Sequence, residues 1–499
     1  MSDANRTKVS FVDEGTFDVV PTSPAWKQVR ITGAPFTFTP TNVVSDELIT
    51  DRQVADLVRV ALETGGDLPM EFSYANQDPL LRGAMYSDWV PATLRYNDGT
   101  ADSVITDVSV GGVYTVITNA SNPEKNYGAF AIGQLVRNTG FVAGNTGLFR
   151  ASAATATSVT LPTTTAEAAP GASARMKVVG IEGASGDITA TAGGTNFIGA
   201  TAANFINQGF VAGMWAKIGG TAAGTKFATA ADNDWVHISA VTATQLTLDV
   251  VPAGWATDAG AAKTIQIWMG DYIRNGTTAR SFAGEVQFQD LATVEYDVYS
   301  GLRVGGWTLS ANAQQILQSA FSFLGANATN STTRTAGSTD DAEDILGAIP
   351  RVGDVFNASS NVARIAEAGA ALAGPNYVQA FSLALSNTLR RQNSIGKLTS
   401  HGIGAGRVQV TGKLTTYYGS NAVRTKLLAG TATSLDARFV DPNGTRAVTV
   451  DLPRVKLVAG TPQVSGVDTD RILDLDLQAL KHATLGYTIQ VQRFEEFVA

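Results

Sequence analysis

The sequence predicts an all-β protein with a few short helices, and three observations carry that prediction. Apolar and polar residues alternate over many short segments, so each can cover a core with one face and meet water with the other. Only 16% of residues are charged, against about 25% in an average soluble chain, and Gly fills 50 of 499 positions. A long-range internal similarity recurs, and its second occurrence is much shorter than its first.

The elements follow in order. Phe36-Thr37-Phe38-Thr39 opens the first strand pattern. After a polar loop, Leu68, Met70, Phe72 and Tyr74 alternate with Pro69, Glu71 and Ser73, and a short helix is predicted from Pro79 to Met85. Val286 and Phe288 alternate with Glu285, Gln287 and Gln289, and Trp307 and Leu309 alternate with Thr308 and Ser310. Phe381 to Leu385 then repeats the opening pattern. Val408, Val410 and Leu414 follow, then a helix from Ala422 to Leu428, then Leu473, Leu475 and Leu477 alternating with Asp474, Asp476 and Gln478. Asp341 to Ile349 is a further predicted helix, with Ser338 as its N-cap and Pro350 ending it.

Phe36 and Phe381 lie 345 apart, Leu81 and Leu428 lie 347 apart, but Arg303 and Arg454 only 151 apart. The first copy therefore carries an insertion. The predicted organisation is a discontinuous domain over 1–101 and 271–325, an insert over 102–270, a linker over 326–350 and a second domain over 351–499. The insert holds its own repeat: Asn138 to Gly144 matches Asn207 to Gly213, and Ala154 to Leu161 matches Val241 to Leu248. It is expected to be a pair of small β modules, an outward decoration that a short linker could replace.

Chemistry is sparse. The absence of cysteine excludes disulfide frameworks, thiol catalysis and cysteine-ligated zinc. His237, His401 and His482 are far apart, with no carboxylate at ligand spacing. Gly220 to Lys226 lacks the ending of a phosphate loop, and no Gly-x-Ser-x-Gly elbow occurs. Asp340, Asp341, Glu343 and Asp344 suit a helix start, and Glu495 and Glu496 read as an exposed end. The net charge of −8 argues against nucleic-acid binding. No signal peptide and no membrane-length apolar stretch are present. The expectation is a non-enzymatic protein with no cofactor and no metal, made in a cytosol.

Four stretches resemble one family. They are FVDEGTFDVVPTSP, FTFTPTNVVSDELITDRQVADLV, VYSGLRVGGWTLSANAQQILQSAFSFLG, and FVDPNGTRAVTVDLPRVKLVAGTPQVSGVDTDRILDLDLQAL. They are similar to the major tail tube proteins of long-tailed, siphovirus-like bacteriophages, in the branch with two fused tube domains; Asp18 stands where the family pattern has glycine. The resemblance implies two tail-tube-like β-sandwich or barrel domains. It also implies homotrimeric rings stacked into a tube, contact with other tail proteins, and DNA passing through the lumen without specific binding. The protein would be assembled in the host cytoplasm and reside in the virion. Glu71, Ser73, Gln287, Gln289, Asp474 and Asp476 are expected to face lumen or solvent. The loop from Val44 to Val54, with Glu47, Asp51 and Arg52, and its counterpart with Arg390 and Arg391, are expected to contact the adjacent ring. A β-modular adhesin or glycan-binding surface protein is the alternative, with a polysaccharide-acting enzyme third.

Overall fold

The computed structural model describes residues 3, 6–22, 26–50, 53–97, 104–116, 126–163, 165–335, 355–372, 376–463 and 466–497. Eight strands organise the molecule: β1 (Phe36–Val44), β2 (Leu57–Glu71), β3 (Glu295–Asn312), β4 (Gln318–Gly325), β5 (Val378–Ser386), β6 (Gln409–Tyr417), β7 (Ala447–Gln463) and β8 (Ile472–Ala479). They form one antiparallel sheet in the order β1-β2-β4-β3-β5-β6-β8-β7. The second four repeat the order of the first four, and the β3–β5 pairing joins the two sets.

The alternation explains why this sheet has one dry face. Trp307, Leu309, Phe321, Phe323, Phe381, Leu383, Leu385, Leu473, Leu475 and Leu477 are buried in one hydrophobic cluster that runs through both halves. Phe72 of the first half packs at 5.6 Å between ring centroids against both Phe356 and Phe439 of the second. The halves therefore share a core. Leu475 is fully buried, so Leu475→Asp is expected to cost about 3–5 kcal/mol by burying an unpaired charge. Chemical denaturation would show the shift, and a variant of unchanged stability would mean that the register of β8 is wrong by one residue.

β3 and β7 are long because each serves two sheets. The first part of β3 pairs with Phe282–Phe288 and Asn327–Ser331, and Phe282–Phe288 pairs in turn with Thr7–Asp13. The first part of β7 pairs with Ala432–Val440 and Gln490–Phe494, and Ala432–Val440 pairs with Val362–Glu367. A register shift at Gly305 in β3, and one at Val458 in β7, marks where each strand changes sheet. Helix α1 (Asp78–Met85) packs on β3 and helix α2 (Ala422–Ala429) packs on β7. Both end in a left-handed residue, Tyr86 and Gly430.

The ladders align the copies two residues away from the sequence pairing. Phe36 opposes Gly66, which opposes Phe323; Leu383 opposes Gly412, which opposes Leu477. Phe36 thus matches Leu383, not Phe381, and a shift of two keeps the same face inward.

Several expectations change. Leu94–Tyr96, before residue 102, already pairs with Arg175–Glu182 in the insert's sheet. The two insert repeats are not separate modules. An eleven-stranded sheet carries Gln134–Thr139 of one and Trp215–Ile218 of the other, and one hydrophobic cluster serves both. Asn327–Ser331, placed in the linker, is a strand on β3. The predicted helix Asp341 to Ile349 and its acid cluster lie outside the described residues.

Candidate assembly surfaces

The face of the eight-stranded sheet opposite the core carries the polar set of each strand, and Leu309, Leu383, Val458 and Leu477 also reach the hollow at its centre. Ser310, Ser382, Thr411, Lys413 and Asp476, from β3, β5, β6 and β8, line one shallow concavity. Asp67 and Asp476 are exposed on this face and Glu71 and Asp474 half-buried. Lys413 lies 3.2 Å from Asp474, whose carboxyl is held below the usual range, first by a 2.6 Å hydrogen bond from the Thr415 hydroxyl. The face carries carboxylates and small hydroxyls, with no aromatic ring among these lining residues on which a base could stack.

Two of the residues expected beside them are elsewhere. Ser73 lies beyond β2, bridged to Val355, and is buried. Gln287 is buried in the other sheet, where its amide donates to Glu285 at 3.1 Å. The alternation there is genuine, but the second face is covered: Thr335 donates its N–H to Glu285 at 2.9 Å and Arg334 lies 3.8 Å from it. Gln289 follows that strand and is half-buried. Period two identifies two faces without saying which of them meets solvent.

The sheet ends in two open edges. Among the described residues β1 pairs only with β2, and from Leu457 onward β7 pairs only with β8. Phe38, Val43, Val44, Leu57, Val58 and Val60 are exposed along the β1–β2 hairpin. A long apolar edge of this kind is an aggregation hazard unless something covers it.

The two hairpin arms differ in conformation. In copy one the ladder continues out to Val44 opposite Leu57, and Glu47 is exposed at its tip; Asp51 and Arg52 lie outside the described residues. In copy two the ladder stops at Ser386 opposite Gln409, the chain bends through Thr388 (φ 47°), and Arg390–Gln392 pairs with Gly402–Gly404. Arg390 is exposed. Arg391 is turned into its own chain, donating to the carbonyls of Gly325 and Thr64, with Glu63 at 3.8 Å. That engagement removes Arg391 from the residues free to meet another ring.

A third surface was not foreseen. The insert is bound to both halves through a buried ionic chain. Arg493, on the C-terminal strand, pairs with Asp78 of α1 and lies 3.3 Å from Asp271. Asp271 pairs with Lys177 of the insert, and Arg175 of the insert holds Glu495 at 2.5 Å. Burial alone would raise the Glu495 carboxyl, but Arg175, Lys177 and Arg493 outweigh it and hold it at about 2. Burial lowers the Lys177 ammonium. Around this chain Trp235 packs edge-on to Phe494 at 4.7 Å, and the Gln492 amide both accepts from and donates to the Trp215 backbone. Arg438 of copy two lies over the rings of Trp235 and Trp215 at 4.0 and 5.0 Å. Glu495 and Glu496 are thus tied to Arg175 and Arg137 rather than forming an exposed end. The insert is part of the framework. The available signal was Arg175 and Lys177 standing in a run otherwise apolar, Met176, Val178, Val179 and Ile181.

The described residues hold no cluster of three or more His, Asp or Glu that could bind a metal ion, and no helix long and apolar enough to cross a membrane. No curated protein matches the chain. A family model described as phage tail tube protein matches residues 4–479, which does not favour the adhesin alternative. That match spans both halves and the insert between them, and the chain belongs to the phage tail tube protein family, the structural proteins of the tube in a phage tail.

Proposed function

We propose that three copies of this chain close into a ring, that rings stack into the tail tube, and that the hollow polar face lines the conduit through which DNA leaves. The observation that carries this reading is the eight-stranded sheet with a β1 edge at one end and a β7 edge at the other. The internal β3–β5 junction supplies a template for joining them. There Trp307 opposes Leu385 and Thr308 opposes Ala384. Carried over by the strand equivalence, Gly460 of one chain opposes Phe38 of the next, and Thr461 opposes Thr37. Heterologous contacts of this kind generate a ring when the rotation closes, and closure removes both edges. Three chains of eight strands give a twenty-four-stranded barrel.

The inner face suits passage of DNA, since its exposed carboxylates, Asp67 and Asp476, repel phosphates, and Lys413 among them is paired with Asp474. Glu47 and Arg390, with Asp51 and Arg52 of the same loop sequence as Glu47, remain the proposed contacts with the adjacent ring and would set its register through complementary charge. Assembly in the host cytoplasm and contact with other tail proteins complete the reading.

Native mass spectrometry of purified protein tests the stoichiometry. Masses at multiples of three chains are expected, with growth beyond the first ring weakening as salt screens the arm charges. A monomer at high concentration, or rings of six chains, would contradict the proposal. Charge reversal at Glu47 together with Asp51 is expected to stop growth at single rings, and unimpaired polymerisation of that variant would remove the arm tips from the stacking contact.

A further inference from the structure

The arm of copy two is already seated within the chain, and the rim that holds it has a counterpart on copy two. The Asn387 N–H donates to the Gly305 carbonyl at 2.8 Å, and its side-chain amide donates to the carbonyls of Ala84 at 2.9 Å and Val304 at 3.1 Å. Leu389 lies over Gly305, 3.4 Å from where a Cβ would stand. Leu398 accepts from the Leu62 N–H at 2.9 Å, and Lys397 lies 3.2 Å from Asp18. The arm of copy two therefore grips the rim of copy one formed by α1, the bulge of β3 and the outer part of β2.

The matching pieces are bare at the chain's other end. From Phe36 to Gly66 the arm of copy one is one residue longer than the arm of copy two from Leu383 to Gly412. On copy two, α2 stands for α1 with Leu428 at the position of Ala84, and Val458 occupies the bulge position of Gly305. Leu428 is 76% exposed and Val458 60% exposed. Resting on the ring proposed above, we infer that the stem of the copy-one arm seats on the copy-two rim of the next chain in the same ring, with Pro40 against Leu428 and Asn42 against Val458.

The side chains at these positions are changed in a compensating way. Within the chain a large residue, Leu389, lies over Gly305, which has no side chain. Across chains the smaller polar Asn42 meets the larger Val458. Asn387 hydrogen-bonds the β3 bulge through its N–H, and its side-chain amide donates to the Ala84 carbonyl of α1 and to Val304. Pro40, which lacks an N–H, takes its place against Leu428, so a polar contact becomes an apolar one. The tip stays outside this seat. Ile395 in the seated arm remains exposed, and Leu48, its counterpart at 99% exposure, would do so too. The stem thus binds sideways within a ring while the tip is left for the neighbouring ring.

The absence of cysteine makes the test clean. Two double variants are compared after oxidation under assembly conditions: Asn42→Cys with Val458→Cys for the arm seat, and Thr37→Cys with Thr461→Cys for the strand edge. All four positions are at least half exposed or lie on open strand edges, so soluble folded protein is expected, checked by circular dichroism. β1 and β7 lie at opposite ends of the sheet, so neither pair can close within one chain. The inference predicts that both variants give covalent species ending at three chains on a denaturing gel. Linkage of the edge pair without the arm pair would overturn the lateral seat and leave the ring standing. A ladder beyond three chains from the arm pair would overturn it in favour of contact between rings. Failure of both pairs would overturn the ring itself.

Discussion

Arg493→Ala is expected to destabilise the protein by about 3–5 kcal/mol, because it removes the cation that pairs with buried Asp78 and leaves Lys177 alone to balance Asp271. Chemical denaturation would measure the loss, and a change within about 0.5 kcal/mol, the usual range for a surface substitution, would show that the chain of charges is not buried as described. The same network sets an acid limit. Glu495 has its folded pKa depressed to about 2, from an ordinary value of about 4.3. Its contribution is therefore complete above about pH 4.5 and is lost as pH falls toward 2. Glu495→Gln should flatten the acid side of the stability profile. A variant that follows the parent's curve through this window would deny Glu495 that role.

Replacing residues 100–265 with a short Gly/Ser linker is expected to abolish soluble expression, the reverse of what an outward decoration would give. The deletion removes Arg175 and Lys177 from Glu495 and Asp271, and the Trp215 and Trp235 rings from Arg438. It also uncovers Phe494 and Phe497, now buried beside Trp235. Each unpaired buried charge costs about 3–5 kcal/mol, so two or three together amount to about 6–15 kcal/mol, as much as the stability of about 5–15 kcal/mol that a typical domain possesses. Size-exclusion chromatography of the expressed deletion would decide it. A soluble, cooperatively folding product would return the insert to the status of a spacer.

The strands were legible because period two survives at single-sequence level. The apolar sets Leu473, Leu475, Leu477 and Trp307, Leu309 are buried where the pattern put them. The long-range repeat was legible too, to within two residues in the strands, where a shift of two leaves the inward face unchanged, and to within three in the helices. What could not be read was which polar face stays open. Gln287 and Asp476 look alike in sequence, yet one is covered by the segment around Arg334 and Thr335 and the other lines the hollow. The ionic chain was hidden for a related reason. Asp78, Lys177, Asp271 and Arg493 are more than 90 positions apart in every pairing, and the apolar run around Arg175 and Lys177 signals burial without naming the partners. The arms show a third limit. Asn387 and Pro40 hold equivalent places, but only the ladders reveal it, because the sequence pairing is offset by two.

The most direct test is cryo-microscopy of assembled tubes at a resolution that resolves strands. Three chains per ring are expected, with a continuous twenty-four-stranded barrel in which β7 of each chain pairs with β1 of the next at Thr461 and Thr37, carboxylates of Asp67 and Asp476 on the inner wall, and three insert densities around the outside. Six chains per ring, a gap between β7 and β1, or a wall lined by the face that carries Trp307 and Leu475 would contradict this arrangement.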